Sequence, residues 1–129
     1  MDALRPTSPA GVLLRLTIVG LTIATGWIHF NLGGLLFELN GLGYFAAALA
    51  MVAPLAIASR CRWLIRLGLI GYAATAIVAW YLTGPRYDVA YIAKAIEVAL
   101  IALLSIEVRA YDGNPLRRVR VLLQPSRGA

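Results

Sequence analysis

Among 129 residues there is one cysteine and one histidine. Cys61 has no partner for an internal disulfide, and with His29 alone it falls short of a structural zinc site. No CxxCH stretch is present. One histidine supplies at most one axial ligand to a haem or chlorophyll-type macrocycle within one copy, which makes His29 the sole cofactor-binding candidate. A glycine-rich phosphate loop, a nucleophile elbow and a metal-spaced cluster are also missing. Gly33-Gly34 is a turn signal, and "LNGLGY" has glycines without a nucleotide-binding context. The sequence predicts no enzyme, no metal and no cofactor.

Charge is scarce too. Only 14% of residues are charged, against 60% hydrophobic, and the mean hydropathy is +0.77. A soluble domain this small exposes too large a share of itself to water to hide that much apolar surface. Lipid removes the difficulty. The length has room for about four spans of ~20 residues and little else. The expected architecture is all-α: one integral membrane domain, a four-helix bundle of two helical hairpins.

The apolar runs fall at about 11–30, 41–58, 63–82 and 89–106. Helix is the form that satisfies backbone groups within each segment in lipid. Ser8-Pro9 is a cap followed by a first-turn proline. Ala24-Thr25-Gly26 resembles a signal cleavage site, but the apolar stretch is long, so the first span reads as an uncleaved anchor. The second span could begin as early as Leu35, and Pro54 is a point for a kink. Between the first two spans, "NLGGLLFELN" reads as an apolar loop lying in the outer interface. Small residues four apart, Gly20/Ala24, Gly43/Ala47, Gly71/Thr75 and Ala95/Ala99, fit close helix approach.

The net charge is +6. Arg5 and Arg15 flank the first span, Arg60, Arg62 and Arg66 the middle connection, and Arg109, Arg117, Arg118, Arg120 and Arg127 the end. The other two connections hold Arg86 between them. Positive-inside counting places both termini and the middle loop in the cytoplasm, in a multi-pass protein of the inner (plasma) membrane. Arg15 and Arg66 are expected to snorkel at helix ends, and Trp27, Tyr44, Trp80, Tyr81 and Tyr87 to form an outer aromatic belt. Residues 113–124 read as a turn and a short interfacial helix, with Leu116, Val119, Leu122 and Leu123 on one face. Anionic lipid headgroups are the expected partners of Arg60, Arg62, Arg117, Arg118 and Arg120. Nothing points to nucleic acid.

"YIAKAIEVAL" places Lys94 and Glu97 three residues apart inside the fourth span. Charges near a span centre cost about 2.5–3.5 kcal/mol each on insertion scales. Lys94 lies about 7 Å from the helix start and Glu97 about 12 Å, so Glu97 is nearly at mid-bilayer. The two share a helix face and can pair. Tyr91 belongs to the same stripe. No second carboxylate falls within the four spans as drawn. His29, Glu38, Lys94 and Glu97 share the outer half, where a polar cluster could form.

"LNGLGYFAAALAM" (39–51), "LIRLGLIGYAATAIVAW" (64–80) and "YIAKAIEVALIALLSIE" (91–107) resemble a group of small, uncharacterised four-span prokaryotic membrane proteins. The resemblance implies the fold and a shared role for Lys94 and Glu97. It implies no activity. The functional expectation is a non-catalytic accessory subunit of a larger membrane assembly, in contact with other integral membrane subunits. Respiratory or photosynthetic electron transfer (an alternative complex III, for instance) is the expected host. Two observations motivate this: there is no self-sufficient catalytic set, and the buried charges call for partners. The alternatives are a homo-oligomeric transporter or channel using Glu97, and a haem- or chlorophyll-type pigment protein using His29.

Overall fold

The computed structural model describes residues 8–111 and 115–124. Among them there is no strand. Six helices follow in order: α1 (Pro9–Asn31), α2 (Leu35–Val52), α3 (Ala56–Arg60), α4 (Arg62–Thr83), α5 (Asp88–Tyr111) and α6 (Pro115–Leu123). Of these α1, α2, α4 and α5 are long and apolar enough to cross a membrane. α1 packs against α2 and α5, and α4 against α5 and α2, so the four close into a bundle.

The helix limits have local causes. The Ser8 side chain accepts from the Gly11 amide at 3.0 Å and caps α1, with Pro9 in the first turn. α1 ends where Gly33 and Gly34 adopt φ of +80° and +94°, angles that glycine takes without strain. α2 starts immediately afterwards, at Leu35. "NLGGLLFELN" is therefore mostly helix, and only 32–34 forms the connection.

The second span is also shorter at its far end than the expected 41–58. Pro54 has no amide hydrogen and pushes the residue before it out of helical geometry. Ala53 is extended (φ −58°, ψ 127°), and α2 stops at Val52. Residues 56–60 then form the separate short α3. The Arg62 guanidinium donates to the Ala53 carbonyl at 3.2 Å, satisfying a group left over at the break. The fourth helix runs past Ile106 to Tyr111.

The buried core follows a heptad seam. On α5 the buried positions Ala90, Ala93, Glu97, Leu100, Leu104 and Glu107 are spaced alternately three and four apart, with Val108 buried beside the last of them. On α1 they include Ile18, Thr22, Thr25 and His29, on α2 Gly41, Tyr44, Ala48 and Met51, and on α4 Arg66, Leu69 and Ala73. This alternation is the signature of helices meeting by knobs-into-holes packing. Ile18, Tyr44, Met51, Leu69, Leu100 and Leu104 form the apolar centre.

Close helix approach is made by glycines other than most of those expected. A Cβ on Gly41 would lie 2.6 Å from the Gly26 carbonyl oxygen, so α1 and α2 touch backbone to backbone there. Of the expected pairs, Gly43 lies under the Tyr72 ring, while Gly20 and Gly71 face open space.

The turn expected at 112–114 lies outside the described residues, as do Arg5 and Arg127. α6 carries Arg117 and Arg120 exposed beside the equally exposed Val121, Leu122 and Leu123. The Arg118 side chain is outside the described set.

Candidate functional site

The α5 seam brings Glu97 into the bundle, fully buried. Its two oxygens have different partners. Oε2 accepts from the Lys94 ammonium at 2.7 Å, one turn back on the same helix. Oε1 accepts from the Tyr44 hydroxyl of α2 at 2.9 Å and the Thr25 hydroxyl of α1 at 3.4 Å. His29 of α1 places Nε2 3.4 Å from the same oxygen. Three helices thus converge on one carboxylate, and every charge in the cluster is met within the chain.

The His29 ring has a fixed orientation. Its Nδ1 lies 2.8 Å from the Thr25 carbonyl oxygen. A carbonyl only accepts, so Nδ1 carries hydrogen. Nε2 is left facing the Glu97 carboxylate, 3.4 Å away. The ring packs against Phe37 and Tyr44, with centroids 6.5 and 5.5 Å away. The nitrogen that an axial metal ligand would use thus points at a carboxylate. Among the described residues, no three His, Cys, Asp or Glu side chains gather to hold a metal ion.

A groove opens beside this cluster. It has a volume of about 730 Å³ and lies between the start of α2, the length of α4 from Gly68 to Thr83 and the first turns of α5. Leu32, Leu36, Leu39, Trp80 and the small-residue face of α4 (Gly68, Gly71, Thr75, Ala76, Ala79) make its wall largely apolar. His29 and Lys94 stand in that wall. Lys94 is about one-tenth exposed and also donates to the Ala76 carbonyl at 3.5 Å. Tyr72 lines the groove and donates to the Asn40 carbonyl at 2.9 Å, tying α4 to α2.

A second polar cluster lies at the other end of the bundle. Glu107 is fully buried, and its Oε1 accepts from Arg15 at 2.7 Å and Arg66 at 3.0 Å. Arg66 is itself buried, and Arg15 is one-fifth exposed. The two arginines therefore point inward and bind a carboxylate, rather than snorkelling. Glu107 is the second buried carboxylate that the span boundary at 106 left out. Its heptad spacing from Glu97 was the signal that would have found it.

Between the clusters lies an apolar layer of Ile18, Met51, Leu69, Leu100 and Leu104. Glu97 and Glu107 are ten residues apart on one helix, roughly 15 Å. Thr22 lies along α1 between them, but its hydroxyl donates to the Ile18 carbonyl at 2.7 Å.

The other expected site residues are placed apart. Glu38 is exposed in the first turn of α2, where a negative charge suits the helix dipole. Tyr91 is half exposed and packs edge-on to Trp80, with centroids 5.3 Å apart. Arg86 covers the other partner of this stack, its guanidinium 4.2 Å from the Trp80 ring centre. Arg60 is exposed, and Arg62 is half-buried against Ala53. Trp27, Tyr81 and Tyr87 are exposed, as belt residues would be, but Tyr44 is fully buried as the Glu97 donor. Thr25 and Tyr72 had no functional signal in the sequence beyond their place on helical seams. Comparison with known protein families, curated proteins and solved structures finds no match to this chain.

Proposed function

We propose that this chain crosses a membrane four times, with both ends on the cytoplasmic side, and holds a lipid-dissolved amphiphile in its lateral groove without chemical conversion. The groove is the observation that carries this reading. Its volume of about 730 Å³ lies in the usual range for small-molecule sites, ~300–1,000 Å³. Its wall is apolar, with convergent polar groups at His29 and Lys94. The orientation is supported by Arg15, Arg62 and Arg66, which gather at the Glu107 end, while the opposite connections hold Arg86 alone.

Glu97 is met within the chain by Lys94 and Tyr44; Glu107 accepts from Arg15 and Arg66 through Oε1, while its Oε2 is buried without a hydrogen-bond partner among the described residues. A proton or ion path through Glu97 would have to pass the apolar layer around Leu100 and Leu104. One observation favours a second reading as a non-catalytic subunit of a larger complex. The small-residue face of α4 at Gly68, Gly71 and Thr75 is exposed and could seat a helix from another chain.

Purification in mild detergent, followed by mass spectrometry of co-purifying chains and of the organic extract, tests both. A stoichiometric amphiphile with no companion chain supports the binding reading. Stoichiometric companion chains with an empty extract support the subunit reading. Neither appearing refutes both.

A further inference from the structure

We infer that the groove selects an uncharged, planar, carbonyl-bearing head, of the quinone type, on an apolar tail, over an anionic head. This rests on the amphiphile-binding reading above and goes further by naming the head.

Charge comes first. Lys94 stands in the groove wall, and the carboxylate of Glu97, buried behind it, lies 2.7 Å from its ammonium. An anionic head reaching Lys94 would also meet the carboxylate already on the same nitrogen. Glu97 is fully buried and Lys94 only about one-tenth exposed, so that repulsion is poorly screened. The surplus positive charge of the chain does not offset it. Arg15 and Arg66 lie at the far cluster, beyond the apolar layer, and are engaged by Glu107. A neutral head leaves the ion pair as it is.

Hydrogen-bonding capacity narrows the head further. An ammonium has three hydrogens. The Lys94 contacts to Glu97 and to the Ala76 carbonyl use two of them. The third is a donor for the groove. Tyr72, Thr75 and Trp80 spend their hydrogens on the carbonyls of Asn40, Gly71 and Pro85. Lys94 thus offers a donor that suits a carbonyl oxygen; the Asn40 side-chain amide is a further polar group in the wall.

Shape agrees. Tyr72 and Trp80 put aromatic surface in the groove wall, one face of the Trp80 ring being covered by the Arg86 guanidinium. The smooth strip of Gly68, Gly71, Ala76 and Ala79 leaves room for a tail.

The test uses the full chain in phosphatidylcholine nanodiscs and reads Trp80 emission, defined as the component lost in Trp80→Phe. Decylubiquinone is the neutral probe. Decyl phosphate, with a tail of equal length, competes as the anionic head. The expected result is saturable quenching by decylubiquinone, with decyl phosphate at least tenfold weaker as a competitor. Lys94→Met weakens quinone binding at least tenfold. Gly71→Leu fills open space and abolishes binding without disturbing the fold, which keeps the test usable if Lys94→Met does not fold. Decyl phosphate competing as well as the quinone overturns the head assignment and leaves amphiphile binding standing. Quenching that never saturates, and is unchanged in Gly71→Leu, overturns both.

Discussion

Glu107→Gln is the most informative single change. The Glu107 carboxylate joins three helices, accepting from Arg15 of α1 and Arg66 of α4 while itself on α5. Removing one partner of a buried ion pair costs about 3–5 kcal/mol. Arg15 is one-fifth exposed and can turn toward headgroups, so its share is small. Arg66 is only 5% exposed along its side chain and has less freedom to turn. The expected loss is about 3 kcal/mol for Glu107→Gln, a large part of a domain stability of ~5–15 kcal/mol. Reversible unfolding in mixed SDS micelles, followed by tryptophan fluorescence, measures it. A double-mutant cycle sharpens the argument. Arg66 and Glu107 lie on different helices, so separating the helices breaks their contact, and the coupling should exceed about 1 kcal/mol. Lys94 and Glu97 lie one turn apart on one helix, and helices persist when a bundle dissociates in detergent. That pair survives in the unfolded reference, so its coupling should fall within the ~0.2–0.5 kcal/mol of an ordinary intrahelical pair. A loss below about 1 kcal/mol for Glu107→Gln, or equal coupling in the two cycles, would refute the reasoning.

Gly41→Ala forces a methyl against the Gly26 carbonyl and the Phe30 amide nitrogen, and should cost about 2 kcal/mol or more. Gly20→Ala meets nothing within 4 Å and should be neutral or stabilise by up to about 1 kcal/mol in the same assay. Lys94 is the only lysine in the chain, so amine acylation read by mass spectrometry reports on one side chain. It should be modified at least tenfold more slowly in the folded protein than after denaturation, and equal rates would contradict the buried pair. Pro54→Ala restores an amide hydrogen at the α2–α3 break and should raise helical circular dichroism slightly. A fall in helical signal would show that the break has another cause.

The four long helices and their rough placement were legible because long apolar runs have one solution in lipid. The limits were less so. A hydropathy window treats residues 35–58 as one continuum, while the chain stops α2 at a backbone property of Pro54 that hydropathy does not register. Lys94 and Glu97 stood out because charges inside an apolar run are conspicuous. Glu107 did not, because it lies beside Arg109, where a span is expected to meet water. Each of Arg15 and Arg66 taken alone has the signature of a side chain reaching out; their inward direction depends on a carboxylate 92 and 41 residues away. Tyr44 shows the same difficulty. A tyrosine near a span end fits a belt by position, but the 3–4 seam through Gly41, Tyr44, Ala48 and Met51 turns it inward. Heptad spacing carried more information here than composition did.

The ten-residue separation of Glu97 and Glu107 governs how the bundle can slip. An apolar seam of 3–4 spacing tolerates a slide of one heptad, roughly 10 Å, since similar side chains meet again. In this seam a seven-residue slide of α5 would carry Glu97 away from Tyr44 and Thr25, and Glu107 away from Arg15 and Arg66. Ten is not a multiple of seven, so the slide cannot bring one carboxylate to the donors of the other. The two polar layers act as unequal teeth of a key, and α5 fits its neighbours at one height only.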